Sequence, residues 1–383
     1  MSKQNQIKRI DTLDSLRGIA ALTVVIHHCM LVFPDFWSVY DPSSTHKTNS
    51  PFIEILTYSP LHLIWGGFEA VILFFVLSGF VLSLPFISGK DPNYLDYAIK
   101  RIFRIYIPYI TLIMLAAILH SLLYRTHTPN LSYWYYQWWS RPIDFQMAVD
   151  HLLMIGSDEQ NILNPVIWSL VHEMRISLVF PIIIWIVIKL DWKNTAIIAV
   201  SLIPLASILG KLHFPATICH SIGYTSLFLA GATLAKYRHE IVNYLATRSR
   251  TTRAILLGFA LLLINIRWQL PTLQIPESLI IGLGSLLLIA LALVPGKLAT
   301  FLEHPALLWL GKVSYSLYLV HVIILLTICH IFQGPILGPI VLIGVPLLSL
   351  VTAHILYVFV ERPSMLLGKH ITASSLGHVT GRV

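Results

Sequence analysis

About ten stretches of this sequence are apolar for long enough to cross a bilayer, and nothing else in it restricts the fold as much. They cover residues 16–35, 63–87, 101–123, 166–189, 194–211, 217–236, 253–268, 277–295, 310–332 and 336–360. At about 1.5 Å of rise per residue, roughly 20 apolar residues traverse a hydrocarbon core about 30 Å thick. Lipid offers no hydrogen bonds to the backbone, so each run must satisfy its own peptide groups, and runs of this length do so as helices. The expected fold is all-α: a polytopic bundle of about ten transmembrane helices. The fifth and seventh runs are the weakest, because Pro204 interrupts one and Asn265 and Arg267 close the other. A soluble alternative fails on composition, since 56% of the 383 residues are hydrophobic and only 11% charged.

Orientation follows from the lysines and arginines in short loops. With the amino terminus in the cytoplasm, inner segments hold twenty of the 26 basic residues, outer segments hold five (Lys47, Arg125, Arg141, Lys211, Arg267), and Arg175 lies inside a helix. Both termini are therefore expected in the cytoplasm. Residues 1–365 read as one transmembrane domain and 366–383 as a short cytoplasmic tail. The net charge of +8 is this loop asymmetry spread over separate turns, so no nucleic-acid partner is expected. No small-residue cleavage site closes the first run, which reads as a retained helix. Cys29, Cys219 and Cys329 form no close pair, and neither a disulfide framework nor a metal site is expected. Two long outer loops, 36–62 and 124–165, remain. The second carries Tyr133, Trp134, Tyr135, Tyr136, Trp138 and Trp139, followed by Asp144, Asp150, His151, Asp158 and Glu159. Such aromatics suit either a membrane-interface belt or stacking against a sugar.

The polar residues left in the apolar runs fall on two levels. Arg17 opens the first run and His28 follows eleven residues later. Eleven residues make about three helical turns, so both lie on one stripe, about 16 Å apart along the axis, with His27 turned away. Arg101 and Arg104, three residues apart, share a face at the start of the third helix, and Glu361 and Arg362 end the last. Arginines gathered at one membrane face suit a ligand carrying several phosphates, although loop asymmetry and lipid headgroups also place arginines there. Deeper lie His28, Glu69, His172, Glu173 and His321. Ionisable groups at that depth are costly unless they face protein or a wet cavity. An imidazole near a carboxylate is a usual acid/base arrangement. An anion site joined by a helix stripe to an acid/base site fits group transfer across the bilayer, and a transporter could be built from the same parts.

Six segments carry a resemblance. They are Leu13-Asp14-Ser15-Leu16-Arg17-Gly18 continuing to His28, Glu69 to Phe80 with its Phe74-Phe75 pair and Ser78-Gly79-Phe80, and Arg101-Ile102-Phe103-Arg104. Trp168-Ser169-Leu170 with Glu173, Phe180 and Pro181 is the fourth; Tyr315 to His321 and Glu361-Arg362-Pro363 complete the set. In this order the chain resembles the integral-membrane acyltransferase-3 family over nearly its whole length. The resemblance implies an acyl-coenzyme A donor, usually acetyl-CoA, on the cytoplasmic side, no metal, and a carbohydrate hydroxyl of an envelope polysaccharide as acceptor. It implies a multi-pass protein of the inner (plasma) membrane in contact with membrane lipid, with glycan-assembly proteins as candidate partners. Many relatives carry an added extracytoplasmic hydrolase-like domain, and the membrane domain is expected to act here without one. On this reading Arg17, Arg101 and Arg104 bind the coenzyme A phosphates. His28 acts as general base or transiently takes the acyl group, Glu173 orients or charge-stabilises it, and His321 is a further acid/base candidate. The alternatives are acylation of a small secreted metabolite, a transporter or flippase without chemistry, and a structural assembly partner.

Overall fold

The computed structural model describes residues 10–41, 43–44, 46–89, 93–124, 128–154, 162–269 and 276–379. Every regular element among them is helical. Eight helices are long and apolar enough to span, and a ninth span appears when α1 (Asp11–Leu31) is joined to α2 (Pro34–Tyr40) across a 112° bend. The bend has a local cause: Pro34 pushes Phe33 out of the helical region, to ψ 132°, so the first run stops at Leu31. Loop helix α3 (Pro51–Tyr58) and a 3-10 turn (Pro60–Ile64) lead into α4 (Gly67–Ile87) and then α5 (Tyr94–Leu123). Two further loop helices, α6 (Tyr133–Tyr136) and α7 (Phe145–Leu153), precede α8 (Ile167–Lys189), α9 (Trp192–Lys211) and α10 (Ala216–Lys236). The remainder are α11 (Arg238–Ala246), α12 (Arg250–Gln269), α13 (Glu277–Ala292), α14 (Lys297–Leu302), α15 (Pro305–Ile331) and a last helical run, Leu337–Ala373. With the bent pair and the 16-residue α13, ten apolar helices match the ten runs of the sequence.

Pro204 does not interrupt the fifth run: α9 passes straight through it. In an apolar setting, neighbouring groups and small backbone adjustments absorb the lost hydrogen bond. The seventh run is likewise one helix, α12, and Arg267 at its end pairs with Glu277 at 2.9 Å. The last run is longer than expected. It contains π-turns at Ile340–Gly344 and Tyr357–Glu361 and stays helical to Val379, so the boundary at 365 falls within a helix. Lys3, Lys8, Arg9, Lys90, Arg125, Asp158, Glu159 and Arg382 lie outside the described residues.

The chain divides into two compact units, one drawn from residues 1–20, 71–97 and 175–312, the other from 21–70, 98–174 and 313–383. Within the first unit, helices meet backbone to backbone. A Cβ on Gly18 would stand 2.6 Å from the Gly311 nitrogen, and Gly79 and Gly231 mark an equally close crossing of α4 and α10. Lipid tails supply no hydrophobic drive for helices to associate, so such contacts carry the packing. Within the second unit, the last run lies on α5, where a Cβ on Gly368 would reach 2.8 Å from Phe103 and Ser364 bonds to the Phe103 carbonyl.

Candidate active site

α1 is unbroken from Asp11 to Leu31, so Arg17 and His28 keep the predicted register, and both are half-buried. The second unit brings His28 to His321 of α15, with His28 Nδ1 3.0 Å from His321 Nε2. His321 Nδ1 lies 3.1 Å from the Leu317 carbonyl, and His28 Nδ1 also lies 3.0 Å from the Val24 carbonyl. These contacts order the protons. A ring nitrogen facing a carbonyl must carry hydrogen, so neutral His321 donates from Nδ1 and offers a bare Nε2. His28 donates to it from Nδ1, which leaves His28 Nε2 as the basic nitrogen. His321 is almost fully buried, whereas His28 keeps accessible surface, as a group that meets a substrate must. Among the described residues no carboxylate reaches either ring.

Loop aromatics pack against His28 and its neighbour His27. Trp134 of α6 stands 5.4 Å from it, centroid to centroid, and His27 packs edge-on at 5.2 Å. His27 Nδ1 donates to the Trp65 carbonyl at 2.8 Å, and its ring stacks on Trp65 and meets Tyr40. Gly67 permits this packing, because a Cβ there would fall on the His27 ring. Glu69 is buried, with one carboxylate oxygen 3.9 Å from His62 Nε2. The loop bearing Trp134 is tied to both histidine helices. The Ser132 amide donates to the Val32 carbonyl at 2.9 Å and its hydroxyl to Leu31 at the end of α1, while the Thr128 hydroxyl bonds to the Cys329 carbonyl of α15.

A second polar group in the same unit holds the paired arginines. Tyr315 donates to the Ile105 carbonyl at 2.7 Å, and Ser316 donates to Glu361 at 2.7 Å, joining α15 to α5 and to the last run. Arg104 and Arg101 are half-buried. Arg104 Nη1 lies 3.7 Å from the Met365 sulfur, and among the described residues its guanidinium has no ion-pair partner. A cation so placed keeps donors for an incoming anion. Tyr318 shares a 2.6 Å hydrogen bond with Ser169.

His28 and His321 thus come together, and Arg101 and Arg104 share a turn of α5. Glu173 is half-buried on α8, and among the described residues it makes no hydrogen bond or ion pair with His28. Arg17 sits three turns along α1 from His28, in the part of the helix assigned to the first unit. Sequence reasoning did not identify Trp134, Trp65 and Tyr315 as neighbours of these groups. Trp134 stood out only as one of several aromatics. No group of His, Cys, Asp or Glu that could hold a metal occurs among the described residues, and the three cysteines are free and buried. The arrangement can deprotonate a hydroxyl beside an aromatic wall and can receive an anion at a separate level. The family model described as an acyltransferase domain, that of acyltransferase-3, matches residues 10–359. No curated protein and no solved structure matches the chain.

Proposed function

We propose that this chain, which belongs to the integral-membrane acyltransferase-3 family, moves an acetyl group from acetyl-CoA at the cytoplasmic face to a hydroxyl of an extracytoplasmic envelope polysaccharide. That the protein is a membrane acyltransferase follows from the family; the donor, the acceptor and the inner membrane are our reading. The observation that carries it is the His28–His321 pair, which leaves His28 Nε2 basic and accessible.

In this mechanism His28 Nε2 takes the proton of the acceptor hydroxyl as its oxygen attacks the thioester carbonyl. The tetrahedral intermediate expels the coenzyme A thiolate, and the imidazolium returns the proton to sulfur. His321 accepts from Nδ1 throughout and shares the positive charge that develops on His28. Arg104 and Arg101 hold the donor phosphates by charge-assisted hydrogen bonds.

The test is to give purified protein labelled acetyl-CoA and a polysaccharide acceptor. Label in a base-labile ester on the glycan, matched by free coenzyme A, is expected. Vectorial movement of label without ester would overturn the reading in favour of transport. Label trapped on His28 would replace direct transfer by an acyl-enzyme route.

A further inference from the structure

A cavity of about 650 Å³ in the first unit lies where α12 begins and α13 gives way to α14. Its floor is apolar, with Leu257, Leu291 and Val294, and Arg250, Arg253 and Lys297 also line it. Among the described residues none of the three cations has an ion-pair partner. Arg253 donates to the Pro295 carbonyl at 3.1 Å, which holds the turn. Gly296 takes φ +155°, a conformation that favours glycine and carries the chain round to Lys297. The cavity also adjoins the first turn of the 20-residue α12, whose dipole adds to the positive field.

Three like charges around one cavity repel one another unless an anion joins them. The floor narrows the choice of anion. Leucine and valine side chains at the end of two membrane helices give nothing to a hydrated phosphate, but they suit the start of a hydrocarbon chain. Charged rim and apolar floor together match an amphiphile whose phosphate sits at the membrane surface. Basic turns beside transmembrane helices attract anionic headgroups at about 1 kcal/mol per cation, roughly fivefold in affinity.

We propose that this cavity is a binding site for an anionic glycerophospholipid, its headgroup phosphate held by Arg250, Arg253 and Lys297 and its first methylenes on Leu257, Leu291 and Val294. The site shares no residue with the histidine pair and does not depend on the identity of the acyl acceptor. The test is native mass spectrometry of the full chain released from micelles holding equal amounts of phosphatidylglycerol and phosphatidylcholine. Wild type should retain phosphatidylglycerol preferentially. Arg250→Gln and Lys297→Gln alter exposed side chains outside the acyl-transfer site. Each should reduce the preference about fivefold, and the pair about 25-fold, with the melting temperature and acyl transfer in lipid-free detergent unchanged. Equal retention of both lipids by wild type, or an undiminished preference in the double variant, would overturn the proposal. Displacement of the lipid by equimolar inorganic pyrophosphate or acetyl-CoA would also overturn it and assign the cations to a soluble phosphate ligand.

Discussion

His28 and His321 divide one task, and the division can be measured. His321→Leu removes the acceptor for His28 Nδ1 while keeping an apolar side chain in place. It should lower kcat about 100-fold, the scale of a small misplacement of a reacting group, with KM for acyl-CoA unchanged. His321→Gln offers an amide oxygen in the same place and should recover part of the rate; equal losses in both variants would reduce His321 to a packing role. Arg104→Gln should act on the other parameter. Charge-assisted hydrogen bonds contribute about 1.5–3 kcal/mol, so KM for acyl-CoA should rise roughly 10- to 100-fold while kcat holds. An unchanged KM would remove Arg104 from the donor site. The register of Arg17 with His28 was legible in the sequence, because helical periodicity alone sets it. The Trp134–His28 contact was not, since it joins residues more than a hundred positions apart through a loop whose path no local pattern encodes. Apolar run length placed Glu173 on a helix and set its depth, whereas only tertiary packing decides which groups it meets.

Helices in this chain meet through their smallest residues, and the glycines separate those that matter from those that do not. A methyl group on Gly311 would collide with the Asp14 backbone, whereas one on Gly258 meets nothing within 4 Å. Gly311→Ala should therefore lower the melting temperature in detergent. Gly258→Ala should leave it unchanged or raise it, because alanine favours a helix over glycine by about 1 kcal/mol. A melting temperature unaffected by Gly311→Ala would show that the crossing is looser than described. The long helices were legible from apolar run length, including α9, where proline proved compatible with a continuous helix. The short loop helices α2, α3, α6 and α7 were not, being too brief to display a period. α6 and α7 each start on a single capping side chain, as where Asp144 accepts from the Met147 amide at 2.7 Å, whereas α2 and α3 start on proline. α6 bears most directly on the chemistry, since Ser132 both caps it and ties it to the end of α1.

The whole molecule is a multi-pass membrane acyltransferase whose inner and outer faces have separate tasks in the mechanism proposed. The basic-residue asymmetry predicts the loop with Lys193 inside and the loop with Ser140 outside, and both positions are exposed. Native thiols are buried, so cysteines introduced there should report the faces directly. A membrane-impermeant maleimide added to intact cells should label Ser140→Cys and spare Lys193→Cys; the reverse pattern would invert the topology and the assigned side of the donor. Deepest in the proposal lies the basic nitrogen of His28. The most direct measurement is coenzyme A release from acetyl-CoA by purified wild type and His28→Ala, with acceptor present and matched melting temperatures. A general base contributes about 10²- to 10⁴-fold, so His28→Ala should lose at least about 100-fold of the acceptor-dependent rate. A correctly folded His28→Ala protein that releases coenzyme A at the wild-type rate would contradict the assignment.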